Sequence, residues 1–407
     1  MSDYPEATIA RLVERAEASA DMSEADAAVI FDAHDEIELL GRQEFSVASH
    51  ETILMHAVKF AVEVGGLHAA IREGDREATE RIVRWINREY DNPETNKRKR
   101  TALRRLAALA SDGEGMPDSV AWVPSTYPST YDPAPEPGKM YHWDDHIEPM
   151  LDAARNSRDR AWVATAWDLG ARMSELYALQ HNDVSDSDHG LQITIRNGKT
   201  GTRTPTLITA VPYLRRWLDD HPGRGEDYLW TRLNRAERIS QNRLRDILKE
   251  LADEAAMTPP STPTPTRMRK SSASFLASQG VPQPHLEQHH GWARGSDEAA
   301  RYIAVFGDAA EREIAAAHGV DVEPDEPDEI APMECYRCGR DTPRDRETCM
   351  WCGQALSPEA AADAEARERR AQETLARMDS EKAIAFLRVI ESMDDPEVAA
   401  ALDELRD

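Results

Sequence analysis

The chain has little cysteine, little lysine and no long apolar run, and each scarcity excludes something. Only four of its 407 residues are Cys, all between Cys335 and Cys352. A disulfide framework spread along a secreted chain is therefore excluded, and the cysteines form one local module. Of 49 Lys plus Arg only eight are Lys, so the positive charge is carried by Arg. Acid exceeds base: 75 Asp plus Glu give a formal net charge of −26. That balance argues against a generic polyelectrolyte binder of nucleic acid, which works by neutralising phosphates. The first twenty residues include Asp3, Glu6, Glu14 and Glu17 and no apolar run, unlike a signal peptide. The most apolar stretch, 53–66, is interrupted by His56, Lys59 and Glu63. It reads as a core helix, because a membrane span needs about 20 apolar residues. The expectation is a cytoplasmic protein with no membrane partner.

What is present points to folded domains. Hydrophobic residues make up 40% and there are nine Trp, which a disordered acidic chain would lack. The length predicts two or three domains. Abundant carboxylates with Arg in place of Lys fit concentrated intracellular salt; a GC-rich genome would account for the Arg excess alone.

Residues 1–112 read as several helices, with apolar residues at helical spacing over 24–40, 49–73 and 76–88. The segment from Asn96 to Ala110 carries Lys97, Arg98, Lys99, Arg100, Arg104 and Arg105, with no acid between 97 and 105. A local sign opposing the global one marks a candidate phosphate-contacting surface; a solvated helix face is the alternative. Residues 113–139 hold two Gly before position 116 and five Pro from Pro117 to Pro135, and read as a linker. In 140–319, two helices over 144–169 precede a switch of period. Leu191, Ile193 and Ile195 alternate with polar residues, Asn197-Gly198 signals a hairpin, and 202–208 makes the return strand. Helices resume at 213–220, 241–256, 267–279 and 298–306. Residues 320–333 form an acidic, Pro-containing linker, 334–355 the cysteine module, and 356–407 an Ala/Glu/Arg-rich helical tail. The expected fold class is mainly α with a small antiparallel β-sheet (α+β).

Four residues in 140–319 are suited to a phosphodiester. Arg172 and Arg269 offer planar guanidinium groups for phosphate oxygens, Lys199 lies at a hairpin tip, and Tyr302 offers a nucleophilic oxygen. Singly, each is equally well a surface or core residue. Their order is more specific. Gly170-Ala-Arg-Met-Ser-Glu-Leu176, Gly198-Lys-Thr-Gly201, Arg269-Lys-Ser-Ser-Ala-Ser-Phe275, His289-His-Gly-Trp292 and Arg301-Tyr302 together resemble the tyrosine recombinase (phage integrase, Xer-like) family, in a haloarchaeal-type form. The resemblance covers about 140–319. The helices of 1–112 are similar to that family's core-binding domain in architecture only.

The resemblance implies a site-specific recombinase acting on double-stranded DNA through a 3′-phosphotyrosyl intermediate, as a tetramer on two sites, with no catalytic cofactor. Tyr302 would be the nucleophile, Arg172 and Arg269 the phosphate clamp, Lys199 the acid for the leaving 5′-oxygen, and Trp292 the orienting aromatic. Thr266 stands where the family has His. Thr is no base near neutral pH, so His289 or His290 is a candidate substitute. The alternative is a recombinase-derived DNA-binding or regulatory protein that has lost turnover. Glu175 is expected to position an Arg or Lys, and Arg267 and Lys270 to join the basic residues facing DNA. The net charge of −26 then describes the bulk surface and not the face meeting DNA.

Cys335-Tyr-Arg-Cys338-Gly and Cys349-Met-Trp-Cys352-Gly are two thiolate knuckles, the spacing of a structural Zn2+ ribbon. Arg337, Arg340, Arg344 and Arg346 are candidates to touch DNA, but Asp341, Asp345 and Glu347 nearly cancel them. A protein contact through the ribbon or the tail is the competing expectation.

Overall fold

A computed structural model describes residues 5–306, apart from positions 112 and 133, together with position 318 and residues 330–377. The chain divides into two compact units, Met1–Pro133 and Ala134–Asp407. The far end of the tail, and most of the acidic linker over 320–333, lie outside the described residues.

The first unit is helical: α1 (Pro5–Ala18), α2 (Glu24–Glu44), α3 (Val47–Glu63), α4 (Leu67–Ile71), α5 (Arg76–Glu89), α6 (Pro93–Leu109) and the short α7 (Asp118–Ala121). Ser23, Ser46, Asp75 and Asn92 are side-chain N-caps, each accepting a backbone N–H of the first turn. The continuous helix expected over 49–73 is broken. Gly65 and Gly66 adopt positive φ, and the buried Asp26 carboxylate accepts the N–H groups of Gly66 and His68, each at 2.8 Å. Leu54, Phe60, Leu67, Ile82, Ile86, Leu103 and Leu106 form the core.

Two expectations change in this unit. Residues 113–139 do not form one linker, because Val120 and Val123 are buried in the first core and Ser119 Oγ donates to Ala70 O at 2.6 Å. The basic cluster also divides. Lys99 is buried, 3.2 Å from His56 Nδ1 and over the Tyr90 ring, so it is no surface contact. Burial lowers its pKa. Arg104 donates to the carbonyls of Ala121 and Val123, Arg100 to that of Thr126, and Lys97 lies over Tyr127. These cations tie the 118–127 segment onto α6, while Arg98 and Arg105 are exposed. A helix carrying six cations presents only part of them to solvent, because its other faces pack.

The second unit is built round α9 (Ser157–Asp168), which packs on α8 (Glu148–Ala153), α11 (Val211–Asp220), α12 (Gln241–Glu254) and α13 (Pro265–Ser278). Trp162, Trp167, Trp217 and Trp230 are fully buried, and each indole N–H finds a backbone carbonyl: Leu244, Tyr141, Leu229 and Leu176. Burial of these rings therefore carries no unpaired donor. After α10 (Met173–Ala178) come β1 (Val184–Ser187), β2 (Gly190–Ile193), β3 (Ile195–Gly198), β4 (Gly201–Arg203) and β5 (Thr206–Leu207). The sheet order is β1-β2-β5, antiparallel, with β3-β4 as a separate hairpin. Leu191, Ile193 and Ile195 all face the core, as their alternation requires. Gly198 pairs with Gly201, so the turn residues are Lys199 and Thr200, and Asn197-Gly198 ends the strand instead of forming the turn. β6 (Thr231–Arg232) and β7 (Arg235–Arg238) make a further hairpin, and α14 (Gln283–His290) and α15 (Asp297–Phe306) pack with α13. The cysteine module carries β8 (Met333–Glu334) and β9 (Asp341–Thr342) and leads into α16 (Pro358–Arg377). No helix among the described residues is long and apolar enough to cross a membrane. The fold is mainly α with small antiparallel sheets.

Candidate active site

Helix α14 ends at Gly291, whose φ of 63° forms a left-handed cap. The last carbonyls of a helix lack intrahelical partners and carry its negative dipole end. Here guanidinium groups from three separate elements take them. Arg203, from β4, donates through Nε to His289 O at 3.2 Å, and Arg269, from α13, donates to His290 O. Arg172, at the N-cap of α10, donates through both Nη atoms to Gly291 O at 3.2 Å. Thr200, beside Lys199 in the hairpin turn, donates to the same Gly291 carbonyl at 3.3 Å.

One carboxylate organises two of the arginines. Glu175 receives Arg203 in bidentate fashion, at 3.0 and 2.8 Å, and Arg172 Nη1 at 3.0 Å. Its Oε2 also accepts the Arg172 backbone N–H at 2.9 Å. Burial works to raise the Glu175 pKa, but the Arg203 hydrogen bonds and the Arg172 N–H and charge override it and hold it down at about 2. Three guanidinium groups against one carboxylate leave the pocket cationic, which is the electrostatic requirement for a phosphate.

Arg269 is buried and also donates to Gly170 O at 2.9 Å, while its Nη2 is buried without a hydrogen-bond partner. Burial, with Arg172 nearby, lowers its pKa to about 10, so it stays charged at neutral pH. Its guanidinium lies 5.0 Å from the Trp292 ring centroid. Trp292 stacks on His290 at 4.9 Å and on Tyr302 at 5.5 Å, and Tyr302 stacks in turn on Phe306. Tyr302 is buried, and burial pushes its phenol above the ordinary range, with Glu298 adding to the rise and Arg269 opposing it. Arg301, its neighbour, pairs with Glu298 at 2.8 Å.

The structure thus gathers Arg172, Arg269, Glu175, Trp292 and Tyr302 around the end of α14, with the Lys199 hairpin touching it through Thr200. Lys199 itself is exposed. Thr266 is exposed on the first turn of α13, one turn ahead of Arg269, and Arg267 and Lys270 are half-exposed on the same helix. The rings of His289 and His290 are both engaged by neighbouring groups. His289 Nε2 faces Asp168 O at 3.1 Å, and burial brings its pKa to about 4. His290 is fully buried with Nδ1 on Leu286 O and Nε2 beside Ser272, and burial likewise lowers its pKa. Gly170 has φ of 52°, and a Cβ there would sit 2.8 Å from His290 Nε2. The histidine is a packing partner of the turn that presents Arg172.

Arg203 and Asp168 are the site residues that sequence reasoning missed. The signal for Arg203 was weak, a lone Arg four residues after Lys199 on the return strand. Asp168 fixes the turn before α11 by accepting the Ile208 and Ala210 N–H groups, each at 2.8 Å, and burial raises its pKa to about 6.

The four cysteine Sγ atoms lie within 4.8 Å of one another, with Cys335–Cys352 at 3.7 Å and Cys338–Cys349 at 3.8 Å. Tetrahedral Zn–S bonds of about 2.3 Å give S–S edges of about 3.8 Å, so the donor set fits a four-thiolate zinc site. Gly339 and Gly353 each take a positive φ and donate to Cys335 O and Cys349 O, closing the two knuckles.

Residues 143–307 match the model of the phage integrase family. The chain is 30% identical over 131 residues to the tyrosine recombinase XerC of Xanthomonas axonopodis pv. citri (strain 306), a match covering 32% of this chain and 41% of that protein. It is 33% identical over 112 residues to XerC of Xanthomonas campestris pv. campestris (strain B100), covering 27% and 34%. The matches therefore span about two fifths or less of these relatives' length. Among solved structures, it is similar to the XerH site-specific recombinase bound to difH substrate in a pre-cleavage complex, with a TM-score of 0.50 and 15% identity. That likeness covers 77% of this chain and 95% of the other, and is one of fold. The family match falls on the segment that holds the arginine pocket.

Proposed function

We propose that this chain is a site-specific DNA recombinase or integrase that cleaves and rejoins double-stranded DNA through Tyr302. The observation carrying the reading is the convergence of Arg172, Arg269, Trp292 and Tyr302 on the end of α14, in the segment matching the phage integrase family. The scissile phosphate would displace backbone carbonyls as the partner of Arg172 and use the free Nη2 of Arg269. Tyr302 Oη bonds to phosphorus, the bond to the 5′-oxygen breaks, Lys199 protonates that oxygen, and the Tyr302 proton passes to solvent. The phosphotyrosyl bond keeps the energy needed for rejoining, so no metal or nucleotide enters the chemistry. The helical first unit would serve as the second DNA-binding arm, with Arg98 and Arg105 as its phosphate contacts, and active assemblies would be tetramers on two sites. Zn2+ held by Cys335, Cys338, Cys349 and Cys352 would be structural. Composition supports work in concentrated salt, in a cytoplasmic setting.

Thr266, where the family that this segment resembles has His, favours a second reading, a slow or non-cutting DNA-binding protein. His289 Nε2 faces Asp168 O, His290 Nε2 faces Ser272 Oγ, and Thr266 has no basic group. Thr266→His places an imidazole one turn from Arg269. Single-turnover cleavage of a DNA site should rise about tenfold or more, in line with general acid–base contributions. No change would mean that proton transfer does not limit the reaction.

A further inference from the structure

The cysteine module is seated on the rest of the second unit, and two of its arginines, Arg340 and Arg346, are engaged there. Arg215, on α11, donates to Asp341 at 3.2 Å and to Asp186 of β1 at 2.9 Å, so it bridges the module and the sheet. Arg340 reaches Asp219 at 3.5 Å, and Arg346 reaches Asp152 at 2.5 Å. The Trp351 ring has the Arg340 guanidinium 4.6 Å from its centroid and that of Arg216 5.9 Å away, and its N–H donates to Asp341 O at 2.7 Å. Arg344 donates to Ala331 O, inside the module's own approach segment.

The docking residues are the knuckle residues. Arg340 and Asp341 follow Cys338-Gly339 directly, and Trp351 stands between Cys349 and Cys352. Cys335 N–H donates to Arg340 O, and Trp351 N–H lies 3.4 Å from Cys349 Sγ. Two two-residue strands and a few turns hold too little apolar surface to fold without a staple, so the docking face exists only when the thiolates share an ion. The face it meets is coupled to the arginine pocket. Asp168 holds the turn that leads into α11 by accepting the Ile208 and Ala210 N–H groups through its carboxylate, meets His289 Nε2 through its carbonyl, and lies on α9, along which α11 packs.

We infer that the metal-loaded cysteine module is a clamp on α11 in the same chain, through which metal occupancy holds the Arg172/Arg269 pocket in shape. The module is thus a positioning element and not a DNA reader. Its effect on DNA cleavage rests on the recombinase reading; the clamp itself does not.

The test uses the full chain loaded with Zn2+, the same chain after chelation, and the double variant Asp341→Asn/Trp351→Ala, which retains all four Cys. Amide hydrogen exchange is followed separately in 211–220, 286–292 and 334–355, with zinc content measured on each sample. Chelation should speed exchange in 211–220 and 286–292 by about tenfold or more, as well as within the module. The double variant should keep one zinc per chain and show the same acceleration in 211–220. Exchange confined to 334–355 after chelation, or an unchanged α11 in the zinc-loaded double variant, would overturn the clamp. If α11 responds but no DNA adduct forms on any tightly bound site, the clamp stands and the recombinase reading fails.

Discussion

Arg269→Ala should lower single-turnover DNA cleavage by about 10³-fold, roughly 4 kcal/mol of transition-state stabilisation, while binding of the same DNA falls far less. The guanidinium sits where three demands meet. It satisfies Gly170 O and His290 O, lies over Trp292, and keeps one buried nitrogen free of protein partners. A buried donor without a partner is costly, and a phosphate oxygen supplies the missing acceptor. Arg269→Lys keeps the charge but loses the planar fork, so most of the loss should remain. Quench-flow cleavage assays beside equilibrium binding separate the two effects. Equal losses in binding and cleavage would assign Arg269 to DNA affinity alone.

Glu175→Ala should cost the second unit about 3–5 kcal/mol, because it strands Arg203 as a buried, uncompensated charge. Arg203 and Glu175 side chains are only 7% and 2% exposed. For a unit of this size that corresponds to a melting point lower by roughly 10 °C. The pH dependence follows from the depressed Glu175 pKa of about 2. Its stabilisation is fully present above the ordinary carboxylate range near 4.5 and is lost as pH falls toward about 2. Acid titration of the wild-type chain should therefore show a loss across that window which Glu175→Ala lacks. Calorimetry of both chains from pH 7 to pH 2.5 measures it; parallel pH profiles would remove Glu175 from the acid response.

Most of the second unit's elements were legible because their signals are local. Periodicity marked α11, α12, α13 and α15 to within a few residues, and alternation marked Leu191, Ile193 and Ile195 as one buried face. Arg172, Lys199, Arg269, Trp292 and Tyr302 stand out as candidates because each lies in a short motif in a fixed order. What could not be read depends on packing across the chain. Arg203 becomes a site residue only when β4 folds against α10 and α14, bringing it to Glu175. The ring partners of His289 and His290, Asp168 O and Ser272 Oγ, depend on where α14 ends against the rest of the unit. Lys99 resembled its basic neighbours in sequence, but its face of α6 turns toward His56 and Tyr90. The 118–123 segment carries loop composition, yet Val120 and Val123 supply two buried anchors that outweigh the prolines. The Asn197-Gly198 signal was displaced by two residues because Gly201 pairs with Gly198.

The central claim is that Tyr302 becomes covalently joined to DNA. A nicked suicide substrate carrying the protein's site, incubated with the full chain at high salt, tests it most directly. The account predicts a denaturant-stable protein–DNA adduct through a 3′-phosphate, with a free 5′-hydroxyl, formed by the wild-type chain and absent in Tyr302→Phe. A tightly bound site that yields no adduct, or an adduct that persists in Tyr302→Phe, would contradict it.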